Sequence, residues 1–110
     1  TLKVIAANAG EVTVDELRQL SDKAKSEGDN IVAVFGAVNK EKGSANFAAC
    51  CAPEAVKSGV KAGDVVRAVA KLAGGNGGGK PDFAMAGAKD IDKVDEAIAS
   101  VADIVKSFIK

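Results

Sequence analysis

The sequence predicts a single α/β domain, a mixed sheet of four or five strands flanked by about three helices, and three observations carry that prediction. Two apolar runs of strand length, Ile31 to Val38 and Ser44 to Ala52, alternate or fill both faces. Three other segments repeat their apolar residues at helical spacing. Gly, Asn and Pro separate the two kinds of segment. At 110 residues, 47% hydrophobic and 27% charged, the chain suits one globular domain whose core needs neither metal nor disulfide.

The first strand is expected at Lys3 to Ala7, around Val4 and Ile5. Thr13 and Glu16 stand at the spacing of a capping box, and Val14, Leu17, Leu20 and Ala24 mark one face of the helix that follows. Gly28, Asp29 and Asn30 end it. Ile31 to Val38 is apolar at every position, as a strand covered on two sides requires. Asn39 to Gly43 is a polar turn, and Ser44 to Ala52 returns as the antiparallel partner of a hairpin. Pro53 stops that strand, and Gly59 and Gly63 punctuate an irregular approach to a helix beginning near Ala62. Val65, Val66, Val69 and Leu72 form its apolar face until Gly74 and Gly75 end it. Phe83 and Met85 alternate with Ala84, Ala86 and Ala88, a short strand with one bulky and one small face. Asp90 then caps a last helix whose seam is Ile91, Val94, Ile98, Val101, Val105 and Phe108.

Composition excludes several functions. Fifteen basic residues balance fifteen acidic ones, so nucleic-acid binding must come from a local patch. Cys50 and Cys51 are adjacent and point to opposite faces of a strand, which disfavours a bridge between them. They are expected as buried free thiols in the reducing cytosol. With no histidine in the chain, neither a catalytic cysteine nor a zinc site is expected. No apolar stretch is long enough to span a membrane, and no signal-peptide pattern occurs. The chain starts at Thr1 and has one methionine, Met85, as a piece of a longer protein would.

The richest segment is Gly74-Gly75-Asn76-Gly77-Gly78-Gly79-Lys80-Pro81-Asp82, with five glycines in six positions. It is expected to be a ligand-contacting loop: bare glycines bring backbone N–H groups close to a ligand, Lys80 adds charge, and Pro81 holds Lys80 extended. Gly74, Gly79 and Lys80 match the start of a G-x-x-x-x-G-K phosphate loop, but Pro81 stands where that motif needs Ser or Thr and a helix. A dinucleotide fingerprint fails too, because Lys80 occupies the place of its third glycine. Lys80 and the N–H groups of Gly77, Gly78 and Gly79 are the candidate phosphate contacts, extended by Lys71, Lys89, Lys61 and Arg67. Phe83 is read as core rather than as a base-stacking platform, and Asp82 as a brace for the loop. Lys23, Lys25 and Glu27 read as a solvated helix face, and Lys40 and Lys42 as decoration of a turn.

These residues resemble the C-terminal domain of alanyl-tRNA synthetases, a branch of the DHH-associated domain family, over nearly the whole chain. The most specific part is Gly74 to Ala88, where a glycine cluster, a cation and Pro-Asp precede a short apolar stretch: Lys80-Pro81-Asp82-Phe83-Ala84-Met85-Ala86-Gly87. Ile31 to Val38 and Val60-Lys61-Ala62-Gly63 are also similar. Met85 stands where the synthetases usually carry glutamine, and Ala88 replaces the second glycine of their closing pair. The resemblance implies an α/β module that has no active site, binds the tRNA elbow where the D and T loops meet, and helps present alanine tRNA to charging and editing domains. It also implies a cytoplasmic location. ATP, magnesium and zinc are expected only in other domains of the parent ligase, with no cofactor or metal here. Two other functions remain in view: a packing or oligomerisation module within the parent enzyme, and the substrate-binding domain of a DHH-type phosphoesterase. Those phosphoesterases place a histidine after the glycine cluster, where this chain has Lys80.

Overall fold

A computed structural model describes residues 3–28, 30–80 and 82–108 of the chain. Among them the sheet has five strands in the order β1-β2-β3-β5-β4. β1 (Lys3–Gly10) lies parallel to β2 (Ile31–Asn39), and every other neighbouring pair is antiparallel, so the sheet is mixed as expected.

The crossover from β1 to β2 is α1 (Val14–Lys25). The expected capping box starts it: the Glu16 N–H donates to Thr13 Oγ1 at 3.1 Å, and the Thr13 N–H to Glu16 Oε1 at 3.2 Å. Its buried face differs from the expected one. Leu17, Ser21 and Ala24 are buried, whereas Val14 and Leu20 stand 46% and 37% exposed. Ser21 tolerates burial because its hydroxyl donates back to the Leu17 carbonyl at 3.1 Å. The expected terminator at Asp29 falls outside the described residues.

β2 is buried at every position from Ile31 to Ala37, and it pairs with β3 (Ser44–Cys51) as the expected hairpin. Pro53 does more than stop β3. It opens a five-residue helix, α2 (Pro53–Lys57), at whose first turn a missing N–H costs nothing. α3 (Ala62–Leu72) follows and buries Val65, Val66 and Val69, but leaves Leu72 46% exposed. After β5 (Phe83–Ala88) the terminal segment is a turn of 3-10 helix at Ile91–Lys93, then α4 (Val94–Ala99) and α5 (Val101–Phe108). It was expected as one helix. The interruption falls at Ser100, whose hydroxyl donates to the Glu96 carbonyl at 3.0 Å, while Val94, Ala97, Val101 and Val105 continue one buried seam across it. Asp90 does not cap the segment with its side chain. Its backbone N–H instead donates to the Ala73 carbonyl at 3.0 Å.

Two apolar layers result. On one side of the sheet Val32, Val34, Phe47, Ala84, Ala86 and Ala88 meet α3, α4 and α5. On the other, Ile31, Ala33, Phe35, Ala48 and Cys50 meet α1, with Phe83 and Met85 at the margin.

Candidate nucleic-acid interface

The glycine run is not a loop. Asn76–Gly79 is a strand, β4, at the edge of the sheet, paired in register with β5 as Asn76↔Gly87, Gly77↔Ala86, Gly78↔Met85 and Gly79↔Ala84. The Lys80 N–H donates to the Phe83 carbonyl at 3.1 Å and closes the hairpin. The expected role of Pro81 in this turn lies outside the described residues.

Each glycine answers a different local demand. Gly74 has φ 71° and ends α3: its N–H donates to the Lys71 carbonyl at 3.2 Å and the Gly75 N–H to the Ala70 carbonyl at 2.8 Å, the pair of bonds that defines a Schellman motif. At Gly75 an added Cβ would come 2.0 Å from the Gly87 carbonyl oxygen. At Gly77 and Gly79 it would come 2.3 and 2.9 Å from the Cβ atoms of Ala86 and Ala84. Gly78 is different, since its Cβ would meet only the end of the Arg67 side chain, 3.2 Å away. Gly63, in the first turn of α3, lies against the Gly79 backbone so closely that a Cβ there would sit 2.9 Å from its carbonyl oxygen. The density of glycine therefore reflects close packing of α3, β4 and β5, not freedom of the chain.

That packing limits the main-chain donors. Alternation of paired and unpaired positions from the closing Lys80–Phe83 bond puts Gly78 in the ladder with Met85 and turns Gly77 and Gly79 to the free edge. The Gly77 N–H is occupied by its neighbour Asn76 Oδ1 at 2.9 Å, and its carbonyl accepts from Arg67 Nε at 3.4 Å. Gly79 faces the first turn of α3.

The candidate cations fall on one structural unit. Lys61, Arg67 and Lys71 are exposed and follow one another at spacings of six and four residues along the outer side of α3, with half-buried Asp64 between the first two. Lys80 and Lys89, both exposed, lie at the two ends of the β4–β5 hairpin. α3 runs antiparallel to β4: its first turn meets Gly79, and its last carbonyls meet the Lys89–Asp90 segment through the bond from Asp90 to Ala73. Lys61 thus shares an end with Lys80, Lys71 shares the other with Lys89, and Arg67 bridges the middle. An 11-residue helix makes this ridge about 16 Å long. None of the five cations forms an ion pair among the described residues.

Two further cations escaped the sequence. Arg18 and Lys25, on α1, join Lys80 around a depression of about 520 Å³ that Asp22, Phe83 and Met85 also line. The Arg18 guanidinium carbon lies 5.5 Å from the centre of the Phe83 ring, within cation–π range. Phe83 is half-buried, at the margin of the core it was assigned to. Lys25 does not merely decorate a solvated face. It binds Asp82 at 3.2 Å, and that hydrogen bond, then the lysine charge, holds the Asp82 carboxyl below the usual carboxylate range. This pair ties α1 to the residue that precedes β5. The signal in the sequence was the 18, 22, 25 spacing beside the buried stripe of α1, which is silent about the strand it will meet.

Catalytic groups are scarce. Cys50 and Cys51 are buried and free. Burial raises both thiols, Cys51 to about 12 with a further push from Cys50, so neither supplies a thiolate near neutral pH. Among the described residues no three carboxylates or thiols converge as a metal site, and no helix is long and apolar enough to cross a membrane.

A family model described as the DHHA1 domain matches residues 1–107. The alanine–tRNA ligase of Natranaerobius thermophilus is 41% identical over 105 residues, which cover 96% of this chain and 12% of that protein. The alanine–tRNA ligase of Bacillus subtilis is 38% identical over 108 residues, covering 98% and 12%. The chain therefore spans about an eighth of the length of these curated relatives, at 12% of each. Among solved structures, the C-Ala domain from Aquifex aeolicus alanyl-tRNA synthetase superposes with a TM-score of 0.83 at 28% identity, over 94% of this chain and 91% of that one.

Proposed function

Because the chain belongs to the DHHA1 domain family and matches alanine–tRNA ligases, we propose that it is the tRNA-binding C-terminal module of a cytoplasmic alanine–tRNA ligase. It grips the elbow of alanine tRNA and helps present that RNA to the aminoacylation and editing domains. The observation that carries this reading is the ridge of Lys61, Arg67, Lys71, Lys80 and Lys89, a local concentration of cations in a chain whose total charge balances. Phosphate contacts need cations on a surface that the RNA backbone can approach. The glycines of β4 supply the approach. Gly77, Gly78 and Gly79 carry no side chains to hold the RNA away from the ridge, and Arg67 and Lys80 flank them. Their role is close approach, with the cations as the main source of affinity.

The module does no chemistry of its own in this reading. ATP, magnesium and zinc serve other domains of the ligase. Phosphodiester hydrolysis fits poorly, since the chain has no histidine and carries Lys80 after the glycines. A second reading draws on Val14 and Leu20, 46% and 37% exposed on α1, which suit packing against another domain of the parent enzyme.

Titration of the chain with tRNA at several salt concentrations, beside a minihelix that lacks the elbow, tests the proposal. Clear preference for full tRNA is expected, with affinity falling steeply as salt rises. Lys80→Ala should weaken binding and reduce the slope of log K against log salt by about one unit. Equal affinity for the minihelix would sink the elbow reading, and an unchanged slope would remove Lys80 from the contacts. A monomer in sedimentation that ignores tRNA even at low salt would favour the packing role.

A further inference from the structure

The two faces of the sheet are not equally covered. α3, α4 and α5 share one face, whereas α1 alone lies on the other, over β2 and β3. A helix with its side chains is about 10–12 Å wide and strands are about 4.8 Å apart, so one helix covers about two strands. β5 and β4 lie beside α1, which reaches their margin through the side chains of Arg18, Asp22 and Lys25.

What they expose there is specific. Ala84, Ala86 and Ala88 face the three-helix layer, so alternation turns Phe83, Met85 and Gly87 to the open side. Phe83 and Met85 are half-buried and Gly87 is exposed. Register sets Gly87 between Asn46 of β3 and Asn76 of β4, and Met85 between Ala48 and Gly78. The strip is therefore an aromatic ring at one end and bare backbone between two amides at the other. Asn76 uses its oxygen on the Gly77 N–H, which leaves its amide nitrogen to donate. The Asn46 side chain makes no hydrogen bond among the described residues. Two shallow depressions follow the strip, the Phe83 one of about 520 Å³ and one of about 500 Å³ lined by Ser44, Asn46, Asn76, Gly87 and Lys89. Lys80 stands at the first and Lys89 at the second. Of the acids nearby, Asp82 is neutralised by Lys25, which leaves Asp22 as the one opposing charge around the first depression.

A floor that runs from an aromatic ring past Met85 to bare glycine backbone, donors beside it and a cation at each end match the three parts of an unstacked nucleotide: ring, base edge and phosphate. We infer that the strip from Phe83 to Gly87 is a subsite for unpaired nucleotides. One base stacks on the Arg18–Phe83 pair, and a second base further along the same strand lies against Gly87 with its edge toward Asn46 and Asn76. Lys80 and Lys89 take the flanking phosphates. Phe83 and Gly87 are four residues apart, about 13 Å along the strand, and α1 stands as a wall beside them, so a duplex does not fit. The inference rests on the RNA-binding reading and deepens it by stating which form of RNA this face recognises.

The test uses the whole 110-residue chain with three probes: a short oligoribonucleotide carrying 2-aminopurine, the same oligonucleotide annealed to its complement, and full tRNA. Stacking should quench the unpaired probe and not the duplex. Phe83→Leu, which keeps apolar bulk but loses the ring, should weaken binding of the unpaired probe by about tenfold or more. Gly87→Val guards against a folding artefact. A Cβ there meets nothing nearer than Asn46 Oδ1 at 3.8 Å, and valine suits a strand, so the thermal midpoint should hold or rise while binding falls by a similar factor. The inference is overturned if both variants, still folded, bind the unpaired probe as the parent does, if duplex and unpaired probes bind alike, or if an acidic peptide displaces the probe from the parent as readily as unlabelled oligonucleotide does. Failure of the elbow proposal looks different. The parent chain would then ignore full tRNA yet still quench the unpaired probe in a Phe83-dependent way.

Discussion

Substituting neighbouring glycines of β4 by alanine should have opposite effects on stability. At Gly77 the new Cβ would sit 2.3 Å from Ala86 Cβ, 2.5 Å from Ala86 Cα and 2.7 Å from the Met85 carbonyl oxygen. Carbon atoms rest about 3.5–4.0 Å apart, so the two strands must part by more than about 1 Å. The obstacles are backbone and a Cβ, which cannot rotate away, and this places the cost near the upper end of the ~1–3 kcal/mol typical of overpacking. Restricting the unfolded chain returns about 0.4–1 kcal/mol. The net loss for Gly77→Ala is about 2 kcal/mol, or roughly 8 °C in thermal midpoint for a domain of this size. Gly78→Ala meets only the flexible tip of Arg67 at 3.2 Å, so the entropic gain should prevail and the midpoint should stay level or rise by a few degrees. Circular dichroism melts and urea titrations with an unchanged m-value read both effects. If the two variants shift alike, β4 is not held against β5, and the account of the glycine run as a packed strand is wrong.

Leu17→Ala, at a fully buried site on α1, should cost about 2–5 kcal/mol, whereas Leu20→Ala, 37% exposed, should cost well under half of that; paired urea melts decide. Cys50 and Cys51 should resist a thiol reagent at pH 8 and react only as urea opens the fold, because burial keeps both protonated; stoichiometric labelling in plain buffer would contradict this. Asp82 should titrate below an ordinary aspartate by carboxyl NMR and move back up in Lys25→Met. Because its folded pKa is the lowered one, the contribution of the Lys25 pair is present above the unfolded value of about 4 and lost as pH falls through the folded value.

The parts of the fold legible in the sequence are those set by local chemistry. Thr13 and Glu16 announce α1, unbroken apolar content announces β2, and the small-and-large alternation of Phe83 to Ala88 announces β5. What failed was decided by partners distant in sequence. Strand preference is read from side chains that pack on a pleated surface, and four residues reading Asn-Gly-Gly-Gly have almost none, so β4 was illegible as a strand. Its counterpart was in plain view: a strand opposite Ala84 and Ala86 in this tight hairpin leaves no room for Cβ atoms at Gly79 and Gly77. Leu20 and Leu72 fit helical periodicity but point past the edges of the layers they were expected to join. The cations show the same division. Lys61, Arg67, Lys71, Lys80 and Lys89 lie in or beside the glycine and helix motifs that single them out in the sequence, while Arg18 and Lys25 meet β5 only when α1 is laid beside it.

Under the proposed function, glycine in β4 reconciles two demands that conflict in most RNA-binding surfaces. A surface that RNA backbone can approach closely must be bare, and bare chain is costly to order. Here order comes from both flanks: α3 fits over Gly79 through Gly63, and β5 fits under Gly77 and Gly79 through two alanines. The hairpin becomes a thin, rigid septum between the helical core and the open strip of Phe83, Met85 and Gly87. Stability and recognition then separate by parity along the strands. Gly75, Gly77 and Gly79 face the packed side, where any side chain strikes backbone or a neighbouring Cβ. Gly78 and Gly87 face the other side, where an added Cβ meets only the tip of Arg67 at 3.2 Å and Asn46 Oδ1 at 3.8 Å, and in the proposed reading it would obstruct the ligand. Bulk added at the first set should unfold the domain before it alters recognition, and bulk added at the second should do the reverse. A purely structural glycine run would lose stability at both sets, and a flexible tether would lose it at neither.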